Sequence, residues 1–172
     1  MENNEVHGRV IYRNSDDNQY RYALGIKGEK TLYCIGINPN TATPENYDQT
    51  MKKLRKAANL YGFDSFVMFN IYPLRAATPD KLPKTVNWSE HNENVKIILD
   101  LIKDGSTIWA AWGNSINSRP WLDNCLADIT NNIKKTKKKI KWVKMGKLTN
   151  KQHPRHPSRL RYQEFSPFTL KP

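Results

Sequence analysis

The sequence predicts an α/β fold: a three-layer sandwich with a short, mostly parallel central sheet. Three observations predict it. Uninterrupted apolar runs of strand length recur at residues 32–37, 65–69 and 107–112, as strands covered on both faces require. Segments with helical spacing separate them, giving the order strand, helix, strand, helix, strand, helix, strand, which calls for parallel strands between helical layers. The first run gives way to Asn38, the second to Asn70 and the third to Gly113-Asn114, and open α/β sheets collect ligands beyond such strand ends.

Val10, Ile11 and Tyr12, then Tyr20, Tyr22, Leu24 and Ile26, flank the turn-forming residues 14–18 and predict a hairpin or edge pair. After the first buried strand, Thr43-Pro44-Glu45 or Asp48 caps a helix whose apolar positions Met51, Leu54, Ala58 and Tyr61 run until Gly62. Residues 65–69 form the next strand. Pro73, Pro79 and Pro83 then predict a loop with at most one helical turn. Ser89 caps a helix with Val95, Ile98, Leu99 and Ile102 on one face, ending at Gly105. Residues 107–112 form the third strand, and a helix entered near Pro120 carries Leu122, Cys125, Leu126, Ile129 and Ile133. Residues 140–145 alternate Ile140, Trp142 and Val143 with lysines, as a partly exposed last strand does, and Gly146 onwards reads as loop. The chain has no internal repeat or low-complexity linker. Its 172 residues therefore read as one domain, with about 1–7 and 163–172 as peripheral tails.

The polar, acidic start Met1-Glu2-Asn3-Asn4-Glu5 is unlike a signal peptide, and no apolar run reaches the length of a membrane span. A soluble, cytoplasmic protein without a membrane partner is expected. Cys34 and Cys125 sit in apolar stretches and read as core thiols. Charge is segregated. Thirteen of the 28 Lys and Arg but one of the 16 Asp and Glu lie in residues 131–172, leaving fifteen of each sign before them. That is the footprint of a polyanionic partner, nucleic acid first; the run at residues 134–141, taken alone, reads as a solvated lysine face.

The sequence has no Gly-rich phosphate loop, no Gly-x-Ser-x-Gly elbow and no histidine pair at zinc spacing. Neither cofactor nor metal is expected. What remains is amide, imidazole and cation chemistry. His153-Pro154-Arg155-His156-Pro157-Ser158-Arg159-Leu160 packs two histidines and two arginines into a proline-braced segment, so it is either a stiff surface loop or a site where imidazole meets an anion and arginine holds phosphate. Asn38 and Asn70 suit turns, and an amide also presents the donor and acceptor that read a nucleobase edge. Asp48 reads as a helix cap and His91 as a surface residue. Of Trp109 and Trp112 one is expected in the core and one in a pocket. Tyr47, Tyr72 and Trp112 are the aromatics nearest the rim, where stacking is worth roughly 1–3 kcal/mol per base.

Ile35-Gly36-Ile37-Asn38-Pro39-Asn40, Asn70 with Arg75-Ala76-Ala77-Thr78-Pro79, Ala110-Ala111-Trp112-Gly113 and Gly146 to His156-Pro157 resemble a family of bacterial and phage proteins classed as a domain of unknown function, over roughly residues 20–162. More distantly, Gly36-Ile37-Asn38-Pro39 and His156-Pro157-Ser158-Arg159-Leu160 are similar to the first and closing motifs of the uracil-DNA glycosylase superfamily, in its mismatch-specific uracil/thymine branch. This resemblance implies a DNA glycosylase-like hydrolase that excises an unusual, damaged or modified base from DNA, in repair or phage-related base processing. It implies that Asn38 positions the attacking water, Asn70 reads the extruded base, His156 stabilises the departing base anion and Leu160 wedges into the duplex. Gly36, Pro39, Trp112 and Ser158 complete the implied substrate contacts. Lys144, Lys147, Lys151, Arg155, Arg159 and Arg161 are the expected nucleic-acid contacts.

The first motif lacks the aspartate of other branches, Asn40 stands where the mismatch branch has glycine, and Arg159 replaces a proline. These departures keep open a non-catalytic nucleic-acid binder on the same fold and a nucleoside- or nucleotide-processing enzyme.

Overall fold

The computed structural model describes residues 8–171. Its elements run β1 (Arg9–Asn14), β2 (Arg21–Lys27), β3 (Thr31–Gly36), α1 (Gln49–Leu60), β4 (Ser65–Asn70), α2 (Trp88–Leu101), β5 (Thr107–Ala110), α3 (Pro120–Lys135), β6 (Lys141–Met145) and β7 (Phe165–Pro167). Short 3-10 turns lie at Pro79–Lys81, Gly113–Ser118 and Pro157–Arg159. The expectation for residues 1–7 falls outside the described residues.

β3 and β4 are buried at every position, which is what their unbroken apolar runs require once helices cover both faces. Side chains alternate across the sheet. Leu32, Cys34, Phe66, Met68 and Trp109 pack with Leu54, Ala57 and Ala58 of α1. Tyr33, Ile35, Val67, Phe69 and Ile108 pack on the opposite face with Val95 and Ile98 of α2 and Leu122 and Ile129 of α3. The layers are thus helix, sheet, helix pair.

The sheet has seven strands in the order β1-β2-β4-β3-β5-β6-β7. β4, β3, β5 and β6 are mutually parallel, while β1–β2, β2–β4 and β6–β7 pair antiparallel. This corrects the short, mostly parallel sheet that the sequence suggested: parallel pairing is confined to the centre, and antiparallel strands extend both edges. β7 corrects the reading of residues 163–172 as a peripheral tail. Its three residues, one of them proline, give too short a pattern to signal a strand. Phe165 nevertheless packs against Trp109, with ring centroids 5.2 Å apart.

Helix ends follow capping chemistry with one change. Asp48 caps α1, its Oδ1 accepting from the Met51 N–H at 2.9 Å. α2 begins two residues earlier than expected, capped by Asn87, whose Oδ1 accepts from the Glu90 N–H at 3.3 Å, and not by Ser89. Helical spacing puts His91 on the buried face, four residues before Val95 and seven before Ile98. It is fully buried, with Nε2 2.7 Å from Asp128 Oδ2, and is not a surface residue.

Residues 134–141 join the end of α3 to the start of β6. Because β6 runs parallel to β3, this run sits at the amino ends of the parallel strands, about 16 Å from their carboxyl ends at roughly 3.3 Å per residue. Lys138 donates from Nζ to the carbonyls of Leu99 and Ile102 at the end of α2. No helix among the described residues is long and apolar enough to cross a membrane.

Candidate functional site

A cleft of about 1240 Å³ opens at the carboxyl ends of the parallel strands. Asn38, Asn70, Gly113, Asn114 and the segment after β6 all reach it, as chain reversal at one sheet edge dictates. Its floor lies on the α1 side of the sheet. Phe66 and Met68 face α1, so by the period of two Asn70 does as well. Gly36 is the register partner of Asn70 on β3. A Cβ at Gly36 would lie 2.7 Å from Met68 Cε and 3.1 Å from Asn70 Oδ1. Gly36 therefore makes room for the amide and does not itself line the cleft, which corrects its expected role as a substrate contact.

Asn70 is 1% exposed, and its Nδ2 has no hydrogen-bond partner. A buried unpaired amide costs about 1–3 kcal/mol, and here it belongs to a residue that lines the cleft. Asn38 is fixed differently: its Nδ2 donates to the carbonyls of Pro39 and Ala76, both at 3.0 Å. The anchored amide leaves Oδ1 as its acceptor. The loop bearing Asn38 and Pro39 is clamped by Arg75, which donates to the carbonyls of Asn40 and Ala42 and to Asn18 and Tyr12 on the β1–β2 side.

Arg21 was not anticipated. It is 3% exposed, lines the cleft, and has an unpartnered Nε; Nη1 donates to the Ala42 carbonyl at 3.3 Å. The β1–β2 register shifts between Arg13 and Asn14, leaving Tyr22 as an extra residue. Such a bulge reverses the face of what precedes it. Arg21 thereby joins the α1 side of the sheet and not the face of Ala23. Burial pulls its guanidinium down to about 10, repulsion from Arg75 adds to this, and Asp48 opposes it; the group stays charged at neutral pH. A lone charged residue opening a strand was the only signal in the sequence.

The third wall is the segment with both histidines. The Gly113 N–H donates to the Pro154 carbonyl at 2.8 Å, and Lys53 Nζ donates to the Pro157 carbonyl at 2.9 Å. Gly113 has φ +62, and a Cβ there would lie 3.4 Å from His156 Cβ, so a glycine lets the segment pack close. His156 lines the cleft. Its Nδ1 accepts from the Ser158 backbone N–H at 3.2 Å and lies 2.7 Å from the Ser158 hydroxyl, which puts the ring proton on Nε2. Burial pulls the imidazole down to about 4; Asp48 pulls the other way, and Lys53 and Arg159 reinforce the drop. His153 does not line the cleft, and burial lowers it too.

The depressed imidazole makes stability depend on pH. The unfolded chain takes up a proton near 6.5 and the folded one only near 4, so stability is full above about pH 6.5 and declines as pH falls towards 4. After allowance for partial exposure the loss is about 2 kcal/mol. Urea midpoints measured at both ends of that window are expected to show wild type losing stability relative to His156→Gln as pH falls, and parallel curves would refute it.

The other expected contacts divide. Pro39, Arg155, Ser158 and Arg159 line the cleft. Lys147, Lys151 and Arg161 are exposed on segments leading into or out of its rim. Lys144 is partly buried, with Nζ donating to the Gly146 carbonyl and to Ser166 Oγ. Leu160 is partly exposed, packs against the α1-side core beside Gly146 and does not line the cleft. Trp112 is 3% exposed and packs edge-on to Phe168 on the α2 side, while Trp109 is buried on the α1 side. Both tryptophans are core. Tyr47 packs on Phe66 and Tyr72 on Trp121, so among the described residues no Trp, Tyr or Phe lines the cleft. Apolar contact comes instead from Ile37, Pro39, Met51 and Met68.

Asp48 also lines the cleft, so one carboxylate both caps α1 and faces the site. Nothing in its helix-cap pattern separated that role from an ordinary cap. No curated protein and no solved structure matches the chain. Residues 21–158, which include every cleft residue but Arg159, match the family described as Protein of unknown function (DUF1643), and the chain belongs to that family.

Proposed function

We propose that the protein is a base-excising hydrolase of the uracil-DNA glycosylase type, acting on an unusual, damaged or modified base in nucleic acid. The observation that carries the reading is the meeting of Asn70, with a buried unpaired Nδ2, and His156, with a neutral ring, in one cleft. Breaking an N-glycosidic bond needs a base held outside the stack, a positioned water and a donor for the departing anion. Asn70 Nδ2 meets an acceptor on the base edge. Asn38, anchored through Nδ2, accepts a hydrogen bond from the water through Oδ1. His156 donates from Nε2 to the oxygen on which negative charge develops.

The bond between C1′ and the base nitrogen breaks with its electron pair going to the base, and water oxygen bonds to C1′. The proton released by the water passes to Asp48, whose second carboxylate oxygen is not engaged by the Met51 N–H. This carboxylate comes from α1 and not from the first motif, which answers the missing aspartate there. Arg155, Arg159 and the exposed Lys147, Lys151 and Arg161 meet the nucleic-acid backbone.

The test is incubation of duplex and single-stranded DNA carrying uracil, mismatched thymine or hypermodified pyrimidines, followed by alkali. Strand breaks at the modified position are expected. Normal binding with no abasic product from any substrate would leave a non-catalytic binder. A second reading, hydrolysis of a free nucleoside or nucleotide, is favoured by the absence of an aromatic platform among the cleft residues and by the position of residues 134–141 at the far end of the sheet. Base release from a mononucleotide faster than from DNA would select it.

A further inference from the structure

We propose that the floor of the cleft is an anion subsite built by Arg21, Asn70 and the start of α1, so that the substrate carries a compact phosphoryl or carboxyl group on or beside its base. The inference rests on the reading of the cleft as a base-binding site and names the substrate class within it.

Two independent buried donors point to it. Arg21 Nε and Asn70 Nδ2 both lack partners, and both belong to residues that line the cleft while at least 97% removed from solvent. They lie on adjacent paired strands, since β2 pairs with β4, and the bulge that turns Arg21 brings it to the face that carries Asn70. A buried guanidinium needs a counter-charge. The structure gives none in direct contact: no carboxylate lies within ion-pairing distance of Arg21 among the described residues. Arg75 adds a second positive charge near Arg21, and Asp48 is the one acid acting on it.

Asp48 holds the Met51 N–H, while Gln49 and Thr50 of the first turn also line the cleft. Leading N–H groups of a helix have no intrahelical acceptor and favour anions. Asp48 and Asp80 are the carboxylates on the cleft wall, against Arg21, Arg155 and Arg159, so the lining remains net positive. A neutral base offers Arg21 Nε an acceptor but no counter-charge, whereas an anion offers both, with further oxygens for Asn70 Nδ2.

Calorimetric titration of the full chain tests this with inorganic phosphate, dUMP and 5-carboxyuracil, and with deoxyuridine and uracil as neutral counterparts. At least one anionic probe is expected to bind roughly 10- to 100-fold more tightly than its neutral counterpart, the ratio for one charge-assisted contact. Preference for dUMP places the anion on the nucleotide phosphate, and preference for 5-carboxyuracil places it on the base. Arg21→Gln is expected to erase the preference with an unchanged or raised Tm, and Lys135→Gln at the far end of the sheet to leave it intact. Should Arg21→Gln not fold, Asn70→Asp, which sets a negative charge in the subsite, is expected to abolish anion binding.

Equal affinity for charged and neutral probes, no binding of any anionic probe at millimolar concentration, or a preference that survives both substitutions would overturn the subsite. None of these readouts requires bond cleavage. Anion preference without excision rejects only the hydrolase reading, and excision of neutral bases without anion preference rejects only the subsite.

Discussion

If the protein is the proposed hydrolase, replacement of His156 by alanine is expected to lower base excision by roughly 10²–10³-fold, the usual loss when one donor to a developing anion is removed, and to leave the fold in place. The imidazole is held by Ser158 at Nδ1 and kept neutral by burial. In the proposed reaction it would act as a fixed hydrogen-bond donor and not as a proton source, so the wild-type rate is expected to stay level as pH rises through 6.5, where an ordinary histidine would lose its proton. The segment around it is anchored by contacts that do not involve the ring, from Gly113 to Pro154, from Lys53 to Pro157 and from Thr149 to His153. The Ser158 N–H exposed by the substitution lies at the surface and finds water. Single-turnover rates across pH 5.5–8, with melting curves alongside, are the measurement. A much smaller loss in a variant that melts like the wild type would remove His156 from the reaction.

Gly25→Ala is expected to cost more than about 4 kcal/mol, an exceptional value for one methyl group. Gly25 has φ +155, and a Cβ there would lie 2.1 Å from the Phe66 carbonyl oxygen and 2.8 Å from Val67 Cα. Both obstacles are backbone, so no side chain can yield. Relief requires β2 to leave β4, breaking the pairing of Leu24 with Met68 and Ile26 with Phe66. Gly36 makes the contrast, because the nearest atom there is the flexible end of Met68. The damage at Gly25 reaches the cleft as well, since β2 carries Arg21 to its lining. Urea denaturation of the variant, followed by far-UV circular dichroism, measures the cost. A midpoint near that of the wild type would show that the two strands can part more cheaply than close pairing implies.

Strand and helix positions were legible because burial imposes a period. The runs at 32–37 and 65–69 became β3 and β4 nearly residue for residue, and the stripe of Met51, Leu54 and Ala58 became the buried side of α1. Parallel order then puts all carboxyl ends at one edge, which is why Asn38, Asn70, Asn114 and the last segment share a cleft. The fate of individual side chains was less legible. Trp112 and Leu160 stand in motif positions, yet Trp112 is buried in one core face and Leu160 packs, partly exposed, against the other, because an apolar side chain goes wherever a neighbour covers it. Lys144 looks like its neighbours in sequence but has two oxygen acceptors within reach.

By itself the sequence determined the α/β alternation, the edge of the sheet where polar groups gather and the segregation of positive charge, because these depend on periodicity and composition along the chain. Only the tertiary structure decided that Arg21 is buried in the cleft, that β7 closes the far edge and that residues 134–141 lie at the opposite end from the site. The reason is physical. A single bulged residue, a three-residue strand and the direction of a parallel strand leave no periodic trace, and each takes its meaning from what lies beside it in space.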